Sequence, residues 1–116
     1  MKLKILFLSF LIISSFGFTR TTTFPLISAA AKGNLGRVKY YIKKGEDINK
    51  KNRARWTALA YAIKFNHFDI VKYLIENGAN INQQNISGRT PLDMCENYKI
   101  KKYLISQGAK LSEELL

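Results

Sequence analysis

A thiol nucleophile needs a base beside it, and this 116-residue chain offers one cysteine, Cys95, and one histidine, His67. No second histidine and no useful carboxylate spacing accompanies them, so neither a metal site nor a general acid–base pair can be assembled from the sequence. Gly-rich phosphate loops and nucleophile elbows are also missing. Free cysteine is among the most buried residue types, so Cys95 reads as a small core residue. Catalysis, cofactors and metal ions are therefore not expected. The remaining chemistry is that of recognition. Trp56 stands between Arg53, Arg55 and, further on, Lys64 and Phe65. Ile86, Ser87 and Arg89 occupy a second, similarly polar stretch. Trp and Arg are the residue types that most often dominate binding energy. Together with Lys50 and Lys51 these residues could form one basic, aromatic-containing surface suited to an acidic groove or loop. Asn85-Ile86-Ser87 also matches the acceptor sequence for N-glycosylation.

The elements that hold these residues come from an internal period. Leu26, Leu59 and Leu92 are spaced by 33, as are Ala29, Ala62 and Cys95. Thr57 and Thr90, Val38 and Val71, Gly45 and Gly78, and Asn49 and Asn82 share that spacing of 33. After Cys95 the offset falls to 30, since Ile70–Ile75 is echoed by Ile100–Ile105, so the third unit lacks three residues. Thr57 and Thr90 are helix caps by type, and Pro25 and Pro91 suit a first helical position. Short first helices are predicted over Leu26–Ala31, Leu59–Phe65 and Leu92 to about Glu96. Second helices are predicted over Leu35–Lys43, Phe68–Glu76 and Lys99–Ser106. In the middle one, Ile70, Val71, Leu74 and Ile75 make an apolar stripe. Gly45, Gly78 and Gly108 end the second helices. One such pair cannot bury its apolar face alone, so about three must stack. The resulting expectation is an all-α fold: a short solenoid of about three helix-turn-helix units joined by β-hairpin-like loops. In it Cys95 falls in the core, and Trp56 sits in a hairpin as either a binding anchor or a contact with a neighbouring repeat. The tyrosines of the second helices read as packing residues.

The period and these residues resemble the ankyrin repeat. The match is carried by Thr57-Ala58-Leu59, Asn66-His67, Asp69–Ile75 and Asn77-Gly78-Ala79-Asn80-Ile81-Asn82, and by Gly88-Arg89-Thr90-Pro91-Leu92. It extends over about residues 25–110. The family's usual histidine after its Thr-Pro-Leu turn is replaced by Ile27, Ala60 and Asp93, and Arg55 takes the place of a common glycine. The resemblance implies a protein-binding module that contacts partners through hairpin tips and the inner face of the first helices. Carried over, the tip positions are Arg53, Ala54 and Trp56, then Ile86, Ser87 and Arg89. The helix positions are Ala31 and Lys32, then Lys64 and Phe65. It also implies a structural role for His67 between helices.

Composition bounds the rest. Hydrophobic residues make up 47% and charged residues 23%, ordinary for one folded domain. The net charge is +11, of which Lys2 and Lys4 contribute two. Residues 1–17 read as a signal peptide: a basic start, an apolar run from Ile5 to Phe18 too short for a membrane span, and small residues Ser15 and Gly17 before the cut. An uncleaved anchor is the alternative reading of that run. Residues 18–24 read as a polar linker and 25–116 as the repeat domain, with units at about 25–52, 53–85 and 86–116. The leader and the Lys- and Ile-rich composition suggest a bacterial exported protein, periplasmic or secreted, acting as a monomer without a stable membrane span. Its expected partner is an acidic protein, bound as adaptor or as inhibitor or immunity factor. The alternatives are an effector acting on host proteins and an electrostatic binder of anionic membrane or nucleic acid. Export makes nucleic acid the less favoured of these.

Overall fold

The computed structural model describes residues 24–116. The expected leader and most of the expected linker lie outside the described residues. Six α-helices follow one another in three antiparallel pairs: α1 Pro25–Lys32 with α2 Leu35–Lys43, α3 Ala58–Lys64 with α4 Phe68–Glu76, and α5 Pro91–Met94 with α6 Tyr98–Ser106. A 3₁₀ turn, Ser112–Leu115, closes the described chain. Among the described residues there is no strand.

Each unit repeats one set of local instructions. The Thr57 hydroxyl accepts the Ala60 N–H at 3.2 Å, and the Thr90 hydroxyl accepts the Asp93 N–H at the same distance. Proline opens α1 and α5, where its missing N–H costs nothing. All three second helices start on a turn residue, Asn34, His67 or Asn97, and the two asparagines accept a backbone N–H of the first turn. At their far ends the chain turns left-handed at Gly45, Gly78 and Gly108 (φ 96, 94 and 94). The following N–H then reaches back to the helix, as Ala79 does to the Leu74 carbonyl at 3.0 Å.

The core runs continuously through all three units. Ala30, Val38, Ala62, Ile70, Val71, Leu74 and Leu104 are fully buried, and Cys95 lies among them in the third unit. The first helices stack directly on one another, α1 on α3 and α3 on α5, whereas the second helices meet more loosely. The first helices thus form the closely packed inner side of the stack, and α2, α4 and α6 form its outer side. No helix among the described residues is long and apolar enough to cross a membrane.

All three first helices end elsewhere than predicted, and α1 runs on to Lys32, one residue past Ala31. α3 stops at Lys64, and Phe65 is its C-cap. α5 stops at Met94, well short of Glu96, and Cys95 is already extended (φ −86, ψ 122). The three-residue deletion explains this: the chain must reverse at once so that Asn97 can cap α6, which starts at Tyr98, one residue earlier than predicted. Phe24, at the end of the stretch expected as linker, packs against the core.

Candidate partner-binding site

Asn52 and Asn85, also 33 apart, build the two hairpin tips. The Asn52 carbonyl oxygen Oδ1 accepts the N–H groups of Ala54 and Trp56, both at 3.0 Å. Asn85 does the same for Ser87 and Arg89, at 2.9 and 3.0 Å. The tips are stitched together, since the Ile86 N–H donates to the Ala54 carbonyl at 2.9 Å. Arg55 holds the left-handed conformation (φ 63) that Gly88 adopts in the next tip (φ 80). Asn85 is 8% exposed and its amide nitrogen faces Met94 Sδ at 3.5 Å, so the glycosylation acceptor is consumed by the fold. A glycan there is incompatible with this tip.

Trp56 is half-buried and held on one side. Its ring lies 4.9 Å from that of Tyr61, whose hydroxyl accepts from the Asn52 amide at 3.0 Å. Tyr61 in turn stacks on Phe65 at 6.4 Å. Lys64 Nζ sits 5.8 Å from both the Trp56 and the Phe65 ring centroids. The neighbour of Trp56 is thus its own unit, and its remaining surface lines a cleft of 210 Å³. Trp56, Ile63, Lys64 and Asn66 form one wall, and Arg89, Met94 and Glu96 from the third unit form the other. The side chain of Arg89 is anchored, with Nη2 donating to the Asp93 carbonyl at 3.0 Å.

The structure brings Trp56, Lys64 and Arg89 to this cleft, with the exposed Phe65 (46%) at its margin. Arg53, Arg55, Ile86 and Ser87 are not in its lining; they are exposed on the hairpin tips beyond it. Met94, Glu96, Asn66 and Tyr61 complete the site and were not identified from the sequence. The deletion after Cys95 hides Glu96, which falls in the shortened stretch, whereas Met94 keeps the register of Tyr61. Tyr61 and Asn52 carry a legible signal, an aromatic ladder at helical spacing and a repeated asparagine. The cleft is one side chain in size. It offers an aromatic ring on one wall, a thioether on the other, two cations and one carboxylate.

The residues with latent reactivity are engaged elsewhere. Burial pushes the Cys95 thiol up, and Sγ donates to the Asn97 carbonyl at 3.4 Å. His67 Nε2 lies 3.2 Å from the Ala31 carbonyl, binding the second unit to the first. Asp93, which stands where the family's usual histidine would, braces the turn by accepting the Thr90 N–H at 2.8 Å. It also receives the Ser112 N–H at 3.2 Å, which fixes the C-terminal turn. Burial works against its charge, but the donors from Thr90 and Ser112 prevail and hold its carboxyl below the ordinary value. No group of three metal-ligating side chains occurs among the described residues.

A stacked helical-repeat scaffold of this kind is the architecture of an interaction module. A family model described as ankyrin repeats (3 copies) matches residues 11–114, and the chain belongs to the ankyrin-repeat family. Over 43 residues it is 46% identical to ankyrin repeat domain-containing protein 39 of Homo sapiens, covering 37% of this chain and 24% of that one. Over 69 residues it is 39% identical to the probable E3 ubiquitin-protein ligase XBOS33 of Oryza sativa subsp. japonica, covering 59% and 13%. The crystal structure of the human ASB11 ankyrin repeat domain superimposes with a TM-score of 0.69 at 35% identity, covering 74% of this chain and 40% of that one. The chain thus spans a quarter or less of the two matched relatives and 40% of the matched structure. Membership places it among protein–protein interaction modules, which are typically non-catalytic.

Proposed function

We propose that the chain is a non-catalytic adaptor or inhibitor that grips a protein partner through the Trp56 cleft. The observation that carries this is the fixed Trp56 ring, backed by Tyr61 and flanked by Lys64 and Arg89. A rigid aromatic anchor beside cations, already ordered before binding, loses little entropy on association. Lys64 and Arg89 outnumber Glu96, so the slot favours a partner residue with a carboxylate next to an apolar group. The exposed tips with Arg53, Arg55, Ile86 and Ser87 widen that surface. Export of this module from a bacterial cell, as an immunity factor or an effector, rests on the leader reading of residues 1–17. Amino-terminal sequencing of the protein recovered outside the cytosol tests it, with Phe18 as the expected first residue.

Peptide display tests the cleft. Selection on the full chain is expected to enrich peptides that pair Asp or Glu with an apolar residue. Trp56→Ala is expected to weaken the selected peptides by about thirtyfold, the effect of losing a hot spot. Arg89→Ala is expected to weaken them less and to relax the acidic preference. Selection that proceeds equally well on a folded Trp56→Ala variant retires the cleft as the binding site.

A further inference from the structure

Most of the net positive charge of the described residues lies away from the cleft. The outer helices with their C-caps, residues 35–44, 68–77 and 98–107, carry eight Lys and Arg against Asp69 and Glu76. The inner helices carry Lys32 and Lys64 against Asp93. From this asymmetry and the aromatic residues beside it, we propose that the outer face of α2, α4 and α6 docks on an anionic lipid bilayer.

The lysines of this face lie over rings. Lys39 of α2 reaches across to the Tyr73 ring of α4 at 5.4 Å. Lys72 lies 5.6 Å and Lys99 6.0 Å from the Phe68 centroid. Lys102 lies 5.7 Å from Tyr98, and Lys44 5.6 Å from Tyr40. Phe68 and Tyr103 meet edge to face at 5.5 Å, which links α4 to α6. Lys39, Lys72 and Lys102 share one register of the repeat, so the pattern recurs on every unit. None of these lysines is held in an ion pair. Their ammonium groups lie against aromatic rings with no carboxylate holding them, so basic and aromatic groups are paired across this face as at a membrane interface. Tyr98 is 74% and Ile105 56% exposed on α6. Rings and aliphatic groups gain from the boundary between head groups and acyl chains, whereas a dissolved polyanion offers Ile105 nothing. That contrast favours a bilayer over nucleic acid. No residue of α2, α4 or α6 lines the Trp56 cleft, so docking through these helices does not use the cleft's own residues.

The test measures partitioning of the full chain onto phosphatidylglycerol–phosphatidylcholine vesicles and onto phosphatidylcholine vesicles, and takes the ratio. Residues 1–23 are unchanged in every variant, so their own lipid affinity does not alter the comparison. The triple variant Lys39→Gln, Lys72→Gln and Lys102→Gln is expected to lower the ratio roughly hundredfold, at about fivefold per lysine near the surface. Lys50→Gln, Lys51→Gln and Lys110→Gln remove the same charge elsewhere and are expected to lower it by a small fraction of that. Equal losses in the two triples would mean that net charge alone attracts lipid, and the docking face would be abandoned. Tyr98→Ser with Ile105→Ser is expected to weaken vesicle binding severalfold and leave binding to duplex DNA unaltered. If that pair changes neither, while the first triple weakens DNA and vesicles alike, the face is a polyanion site and the bilayer assignment is wrong. Circular dichroism confirms that each variant is folded.

Discussion

At the scale of single residues, His67 and Gly33 form a tight junction between two units. Gly33 ends α1 in the left-handed conformation (φ 77), and the His67 imidazole lies directly over it. A methyl group placed on Gly33 would come within 2.6 Å of His67 Cε1. Gly33→Ala therefore combines backbone strain with overpacking, and a loss of roughly 2–4 kcal/mol is expected. His67→Ala loses the bond to the Ala31 carbonyl and its packing, at an expected cost of about 1–3 kcal/mol. The two costs should not add. Once the imidazole is gone, the methyl group has room, and only the strain of the left-handed turn remains. Urea unfolding of both single variants and the double variant measures the coupling, expected at about 1 kcal/mol or more. Additive losses would show that Gly33 is required for its dihedral angles alone. Asn66 occupies the register of Gly33 in the next unit and also turns left-handed (φ 60), as asparagine tolerates better than most.

At the scale of elements, the repeat period located every helix pair, and α2 and α4 span the residues their apolar stripes predicted. The caps were legible because their chemistry is local: a threonine hydroxyl, a proline at the first position and a glycine past the last. The length of α5 was not, because a deletion changes how far the chain can run before it must turn, and that is set by the units stacked beside it. The cleft was half legible for the same reason. Trp56, Lys64, Arg89 and Met94 lie in the repeat register, whereas Glu96 follows the shortened helix. The 3₁₀ turn Ser112–Leu115 had no signal in the period, and its position depends on a tertiary contact. The Ser112 N–H donates to the Asp93 carboxylate, and Glu114 accepts the Leu111 N–H at 2.6 Å. Because Asp93 titrates below its ordinary value when folded, its contribution is complete above about pH 4 and is lost as pH falls through the folded value. Hydrogen exchange at Ser112 should accelerate beyond its intrinsic pH dependence in that window. Asp93→Asn retains a carbonyl acceptor and should show no such step. A step of the same size in Asp93→Asn would assign the effect to other carboxylates.

At the scale of the whole molecule, stability is distributed along one dimension. Each unit touches only its neighbours, through the core and through asparagine bridges such as Asn49 Oδ1 to the Asn80 N–H at 2.7 Å and Asn82 Oδ1 to the Lys110 N–H at 2.8 Å. In such a stack the middle unit supports two interfaces and a terminal unit one. Leu74 and Leu104 provide a controlled comparison. They are the same residue type in the same register of α4 and α6, and neither has any exposed surface. Truncation of either to Ala removes the same atoms, at a cost of roughly 2–5 kcal/mol. The consequences should nevertheless differ. Leu74→Ala weakens the unit on which both others lean, so amide protection should fall together in all six helices. Leu104→Ala should open α5 and α6 first, with α1 to α4 keeping most of their protection, because the α1–α3 interface does not involve that residue. Residue-resolved hydrogen exchange on the two variants distinguishes these patterns. If Leu104→Ala lowered protection in α1 as much as in α6, the three units would be a single cooperative block, and the outer face and the cleft would form and melt as one.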